Sequence, residues 1–271
     1  MTAKERLLEM VAAEPGGDLR RQYIWTRRRA REQGRLWRGA YAWSVLRAVT
    51  TAKGLGIDRI SALEFGVAGG NGLLALETVA DLAEELSGVR VEVVGFDSGG
   101  GLPPPTDPRD VPFFYGEGDY PMDEAKLRAR LQRADLRLGL VSETVPQFLS
   151  EDHPPVGFMS NDLDYYSSTM DSFGILDADP DRLLPRVVSY FDDVALYPWT
   201  DFNGELAAIH EFNATHDQRK ISRVYGIRWS LTGSEMKLQW PDQMFIAELF
   251  DHPLYSTPEL VQGREALHLA T

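Results

Sequence analysis

The chain has 271 residues and is 43% hydrophobic, which suits one α/β domain with an appendage and a sizeable core. A net charge of −13 argues against general nucleic-acid binding, because phosphate contacts supply most of that affinity. With no cysteine there is no disulfide framework, thiolate nucleophile or cysteine zinc site, and the reducing cytoplasm is the expected compartment. No apolar run approaches a membrane span, and the first residues lack a signal-peptide core, so neither insertion nor export is expected.

Residues 1–55 read as an N-terminal helical cap, and 56–271 as the main domain. Gly34 and Gly39 break the helical pattern before an amphipathic stretch from Tyr41 to Lys53. Arg20, Arg21, Arg27, Arg28, Arg29, Arg31, Arg35 and Arg38 crowd this cap, interleaved with Tyr23, Trp25 and Trp37. The plain reading is a solvated face paired with the protein's own acids. The sharper one is a wall for an anionic substrate, in which Arg27, Arg28 and Arg31 meet a carboxylate or phosphate. A third is a helical arm used in homodimer contact.

Residues 61–66 form an apolar strand that runs into a glycine-rich turn, Gly66-Val67-Ala68-Gly69-Gly70-Asn71-Gly72, with Glu64 near the strand's end. A helix over about 72–86 follows, then a strand over 90–96 that stops at Asp97. Glycines let the chain pass close to a ligand, and an acid on the next strand can take two ribose hydroxyls. The spacing is not Gly-x-Gly-x-x-Gly, and an acid two residues before Gly66 would face a pyrophosphate unfavourably, so a dinucleotide is not expected. The plain alternative is a tight turn that only packs helix against strand.

The loop from Gly99 to Met122 carries three prolines in a row and then Phe113, Phe114, Tyr115 and Tyr120. It reads either as a lid beside the ligand or as a satellite cluster on the sheet edge. A charged helix from Asp123 to Ala134 follows. Strands are expected near 136–141, 156–161 and 186–191, a helix near 204–216, and late strands near 221–229 and 243–250. The alternation predicts a doubly wound, mostly parallel seven-stranded α/β sheet with ligands at the strands' carboxyl ends.

Two acidic clusters fall at such ends. Asp162 and Asp164 follow the strand 156–161, and period-two alternation sends both the same way if the strand extends. Asp192 and Asp193 follow the strand 186–191. Carboxylates this close repel unless a cation or proton intervenes, and oxygen-only ligands favour Mg²⁺ before Ca²⁺ or Mn²⁺. The alternative is that these residues are helix N-caps. The five histidines lie in turns, the tail or a helix without a same-face ligand spacing, and are poor catalytic candidates.

Glu64-x-Gly66-x-Ala68-x-Gly70 resembles the acid-Gly-x-Gly-x-Gly turn of class I S-adenosylmethionine (SAM) methyltransferases, with Ala68 at the middle glycine. An ordered set extends the likeness: Glu64-Phe65-Gly66-Val67, Phe96-Asp97-Ser98, Gly139-x-x-x-Glu143-Thr144, Asp162-x-Asp164-x-Tyr166-x-Ser168-Thr169, Asp192-Asp193, and Gly204 with Ala208, Glu211 and Phe212. Over about residues 60–215 the chain resembles the macrocin O-methyltransferase family, whose members methylate sugar hydroxyls of natural products.

The resemblance implies that Glu64 holds the amino end of SAM. It implies that Gly66, Val67, Ala68, Gly70, Asn71, Asp97, Ser98, Glu143 and Thr144 line the rest of the SAM site. It further implies that Asp162, Asp192 and Asp193 hold Mg²⁺ and that Asp162 acts as base. Gly99-Gly100 and Ser160-Asn161 depart from the family pattern, as do the aromatic loop and the arginine stretch. The expected activity is Mg²⁺-assisted methyl transfer from SAM to a hydroxyl of a small molecule in natural-product metabolism. Alternatives are a metal-independent N- or O-methyltransferase and a catalytically silent SAM-binding interaction protein.

Overall fold

The structure, a computed structural model, describes residues 19–231 and 233–259. The helical reading of residues 1–18 lies outside the described residues. The arginine-rich stretch forms α1 (Leu19–Glu32), and α2 (Gly39–Gly54) follows a short break around Gly34. The main domain then runs β1 (Arg59–Phe65), α3 (Asn71–Ser87), β2 (Arg90–Asp97), α4 (Glu124–Arg128), β3 (Asp135–Leu138), α5 (Val141–Ser150) and β4 (Val156–Asn161). It continues with α6 (Tyr166–Ser172), β5 (Leu183–Phe191), α7 (Gly204–Thr215), β6 (Arg219–Arg223), α8 (Ile227–Ser230) and β7 (Met244–Leu249).

The seven strands form one sheet in the order β3-β2-β1-β4-β5-β7-β6. The strands from β3 to β5 pair in parallel, while β7 runs antiparallel to both β5 and β6. Strands β1 and β4 are buried on both faces, which explains their near-continuous apolar sequence. Alternate residues feed two cores. Ile60, Ala62, Val91 and Val93 pack under α2 and α3, whereas Leu63, Phe65, Val94 and Phe96 pack against the layer that includes α5, α6 and α7. Helix α2 is thus part of one sheet-covering layer, with Tyr41, Val45 and Leu46 fully buried.

The chain leaves β1 towards β2 and β3, then returns to β4 on the other side. That reversal opens a crevice at the carboxyl ends of β1 and β4, where open α/β sheets bind ligands.

Three elements differ from the sequence reading. The charged helix stops at Arg128 because the backbone N–H groups of Gln132, Arg133 and Ala134 all donate to Oε1 of buried Glu77 at 2.7–2.9 Å. A carboxylate taking three amides outcompetes another helical turn there. The strand expected over 221–229 ends at Arg223, since Gly226 adopts a left-handed φ of 85° and starts α8. Strand β4 does not extend through Asp164, whose φ of 62° is also left-handed. Among the described residues no helix is long and apolar enough to cross a membrane.

Candidate active site

The glycine turn is built by backbone crowding. Gly66 has φ 82°, its N–H donates to Phe96 O at 2.9 Å, and Asp162 N donates to Phe65 O at 2.9 Å. A Cβ at Gly66 would lie 1.8 Å from the carbonyl oxygen of Asp162, and one at Gly72 would lie 2.0 Å from Glu64 Oε1. The Glu64 carboxyl therefore tucks under the first turn of α3, 2% exposed, with Oε2 unpartnered. Burial pushes its pKa to about 8, opposed by the Arg38 guanidinium and reinforced by Asp162.

Asp97 shapes the same turn. Its Oδ2 accepts from Val67 N at 2.9 Å and Ala68 N at 2.8 Å, and its Oδ1 accepts from Gly99 N at 2.6 Å. A carboxylate has about four acceptor positions, so one remains for a ligand hydroxyl rather than two. Around these groups lies a cleft of about 380 Å³. Glu64, Gly66, Val67, Ala68, Gly70, Asn71, Asp97 and Ser98 line it, as do Asp162, Asp192 and Asp193.

Glu143 and Thr144 do not line the cleft. The wall there is Gly139, Leu140 and Val141. Thr144 is buried in α5 with its hydroxyl donating to Leu140 O at 3.1 Å, and Glu143 is exposed to solvent.

Four aspartates gather in the same cleft: Asp162, Asp164, Asp192 and Asp193. None caps a helix, since the N-cap residues of α6 and α7 are Tyr165 and Asn203. Asp192 Oδ1 accepts a short hydrogen bond from the Tyr190 hydroxyl. Desolvation, with Asp192 and Asp164 beside it, pushes Asp162 up to about 8. Desolvation and the neighbouring Asp164 and Asp162 push Asp193 to about 10, while desolvation takes Asp164 to about 6. Glu205, fully buried, is also pushed well up by desolvation and by Asp193, whose N–H donates to Glu205 Oε2 at 3.0 Å.

Such a cluster must hold protons or a cation. Its oxygen-only chemistry fits a hard divalent ion, and the buried Asp193 Oδ2 and Glu205 Oε1 have no partner. Among the described residues, however, no three His, Asp or Glu side chains converge closely enough to hold an ion as they stand. Glu205 was missed in the sequence; its only signal is its place one residue after Gly204 at the start of α7.

The aromatic loop lies over the cleft. Leu102, Pro103, Tyr115, Asp119 and Tyr120 line the cleft, as does Asp164. Tyr115 stacks on Trp199 with centroids 5.6 Å apart, and Phe114 meets Tyr197 edge-on at 6.4 Å, joining this loop to the one after β5. The loop is anchored by Asp110, which is fully buried and accepts from Thr106 N, Asp107 N and Ser167 N at 2.8–2.9 Å.

The arginine stretch divides. Arg27 pairs with Glu235 at 2.7 Å, Arg28 with Glu32 at 2.8 Å, Arg29 with Glu32 at 3.5 Å and Arg35 with Asp81 at 2.7 Å. Arg27, Arg28 and Arg31 do not line the cleft, because α1 lies on α2 and α3 rather than over the strand ends; Arg38 does line it.

No family model and no curated protein matches the chain. Among solved structures, CalS11, a calicheamicin methyltransferase, is 24% identical, covering 68% of this chain and 74% of its own, with a TM-score of 0.52. An O-methyltransferase from Bacillus cereus in complex with SAH is 18% identical, covering 75% of this chain and 78% of its own, with a TM-score of 0.39. The sheet order with its antiparallel β7, together with the first of these likenesses, defines the class I SAM-dependent methyltransferase fold.

Proposed function

We propose that this protein is a SAM-dependent methyltransferase that acts on a hydroxyl of a small molecule in natural-product metabolism, assisted by Mg²⁺. The observation that carries the reading is the unpartnered Glu64 Oε2 at the glycine turn, facing the same cleft as the Asp162 cluster. When bound, SAM supplies an electrophilic methyl group on a sulfonium. Glu64 would take its ammonium group, the remaining acceptor position of Asp97 a ribose hydroxyl, and Gly66 to Asn71 would allow the backbone to approach closely.

Asp162, which lines the cleft with Glu64 and Asp192, would accept the hydroxyl proton. Asp162, Asp192 and Asp193 would hold Mg²⁺, which lowers the pKa of a bound hydroxyl. Seven carboxylic residues and one arginine line the cleft, which supports an uncharged acceptor over an anionic one. Exposed Phe114, which packs on the cleft-lining Tyr115 and on exposed Tyr197, would offer apolar surface for the rest of that molecule.

A metal-independent enzyme is the second reading, favoured by the failure of the acids to converge on one point. Incubation with methyl-labelled SAM and a panel of uncharged hydroxylated acceptors, with Mg²⁺ or EDTA, tests both. Transfer abolished by EDTA supports the first reading, and transfer indifferent to EDTA the second. SAM binding without transfer to any acceptor returns the protein to a silent binding role.

A further inference from the structure

Arg38 sits at the joint between the helical cap and the main fold. It occupies the N-cap position of α2 in an extended conformation, φ −120° and ψ 131°, and its side chain does not cap the helix. The next residue fixes that placement: a Cβ at Gly39 would lie 2.6 Å from the Tyr23 hydroxyl and 3.0 Å from Trp240 Nε1. The backbone is thereby pressed against α1 and Trp240, and the side chain of Arg38 reaches the cleft.

Within the cleft the guanidinium lies 5.4 Å above the Tyr41 ring, and Nη1 donates to the Tyr41 hydroxyl at 3.3 Å. Tyr41 is fully buried and shares a 3.0 Å hydrogen bond with Ser160 near the end of β4, so the platform under Arg38 is rigid. The bond to Tyr41 uses one of five guanidinium donors. Beside the same Tyr41 hydroxyl is Glu64, with Oε2 buried and unpartnered: a Cβ at Gly72 would lie 2.0 Å from Glu64 Oε1 and 3.1 Å from that hydroxyl. A cation with spare donors and an acid with a spare acceptor, set side by side at the Tyr41 hydroxyl in a glycine-lined cleft, complement a ligand that carries both signs on one carbon.

We propose that Arg38 recognises the α-carboxylate of SAM, so that Arg38 and Glu64 together grip the zwitterionic methionine end. The inference rests on the SAM-dependent reading above and assigns the cap a direct part in cofactor recognition. It also explains why Arg38 differs from Arg27, Arg28, Arg29 and Arg35, which are committed to Glu235, Glu32 and Asp81. The competing role, in which Arg38 only offsets the charge of Glu64 and Asp162, predicts no discrimination between ligands with and without the carboxylate.

Calorimetry on the full chain with SAM and with decarboxylated SAM, which keeps the sulfonium and the ammonium, separates the two. The wild type should bind SAM about tenfold or more tightly than the decarboxylated compound, the scale of a charge-assisted hydrogen bond. Arg38→Ala should lose that preference by weakening SAM alone, and Arg38→Lys should keep part of it. Equal weakening of both ligands by Arg38→Ala, or no wild-type preference, overturns the proposal while leaving SAM dependence intact. A wild type that binds neither ligand overturns both. If Arg38→Ala does not fold, Arg38→Lys and Arg38→Gln carry the same comparison.

Discussion

The Cα of Gly66 lies against the backbone carbonyl of Asp162, with room for no side chain: a Cβ would sit 1.8 Å from that oxygen. The turn beside Glu64 and the strand end that carries the acids are therefore in direct backbone contact.

Gly66→Ala should fail twice, through its positive φ and through the clash. Destabilisation of about 1–3 kcal/mol is expected from overpacking alone, with SAM binding lost. Gly69→Ala is the matched control, since no atom lies within 4 Å of a Cβ there. Denaturant unfolding and calorimetry on the two variants check this; a Gly66→Ala protein as stable as Gly69→Ala would contradict the geometry.

Asp97→Ala should lower the stability of the ligand-free protein as well as its affinity for SAM. It leaves the N–H groups of Val67, Ala68 and Gly99 without their acceptor, and the buried one, Val67 N–H, costs about 1–3 kcal/mol when unsatisfied. Unfolding measured without ligand decides the matter. Unchanged stability with weakened SAM binding would make Asp97 a ligand contact only, as the sequence suggests on its own.

What the sequence reveals here follows from which interactions are local. The strand 156–161 and the helix starting at Gly204 are readable because apolar runs and turn residues are written in the segments themselves. The helix 123–134 is misread because its terminator, Glu77, is far away in the chain. Likewise Asp97 shows its strand-end position but not the amides it must satisfy, and Glu143 and Thr144 match a motif while α5 sets their side chains beside Gly139 of the cleft wall. Arg38 is indistinguishable from its seven neighbours until Gly39 is seen pressed between Tyr23 and Trp240.

The acid cluster gives the protein a definite pH response. Glu64 is raised from 4.5 to about 8, and Asp162, Asp164 and Asp193 from 3.8 to about 8, 6 and 10. The folded state therefore keeps protons that the unfolded chain releases. By linkage, these groups make stability fall as pH rises from about 4 to about 8, with Asp193 extending the fall further. Mg²⁺ in place of the protons should raise the melting temperature more at pH 8 than at pH 6, and Asp192→Asn with Asp193→Asn should abolish the response. Melting curves indifferent to Mg²⁺ and Mn²⁺ at both pH values would leave the cluster protonated and metal-free.

The central claim is that the cleft between the glycine turn and the acid cluster is a SAM site. Titration calorimetry of the ligand-free protein with SAM, and with NAD as the dinucleotide control, tests it most directly. The expected result is one SAM site per chain, no measurable NAD binding, and loss of SAM affinity in Glu64→Gln by about tenfold or more, the scale of a charge-assisted hydrogen bond. NAD binding more tightly than SAM, or SAM binding unaffected by Glu64→Gln, would contradict it.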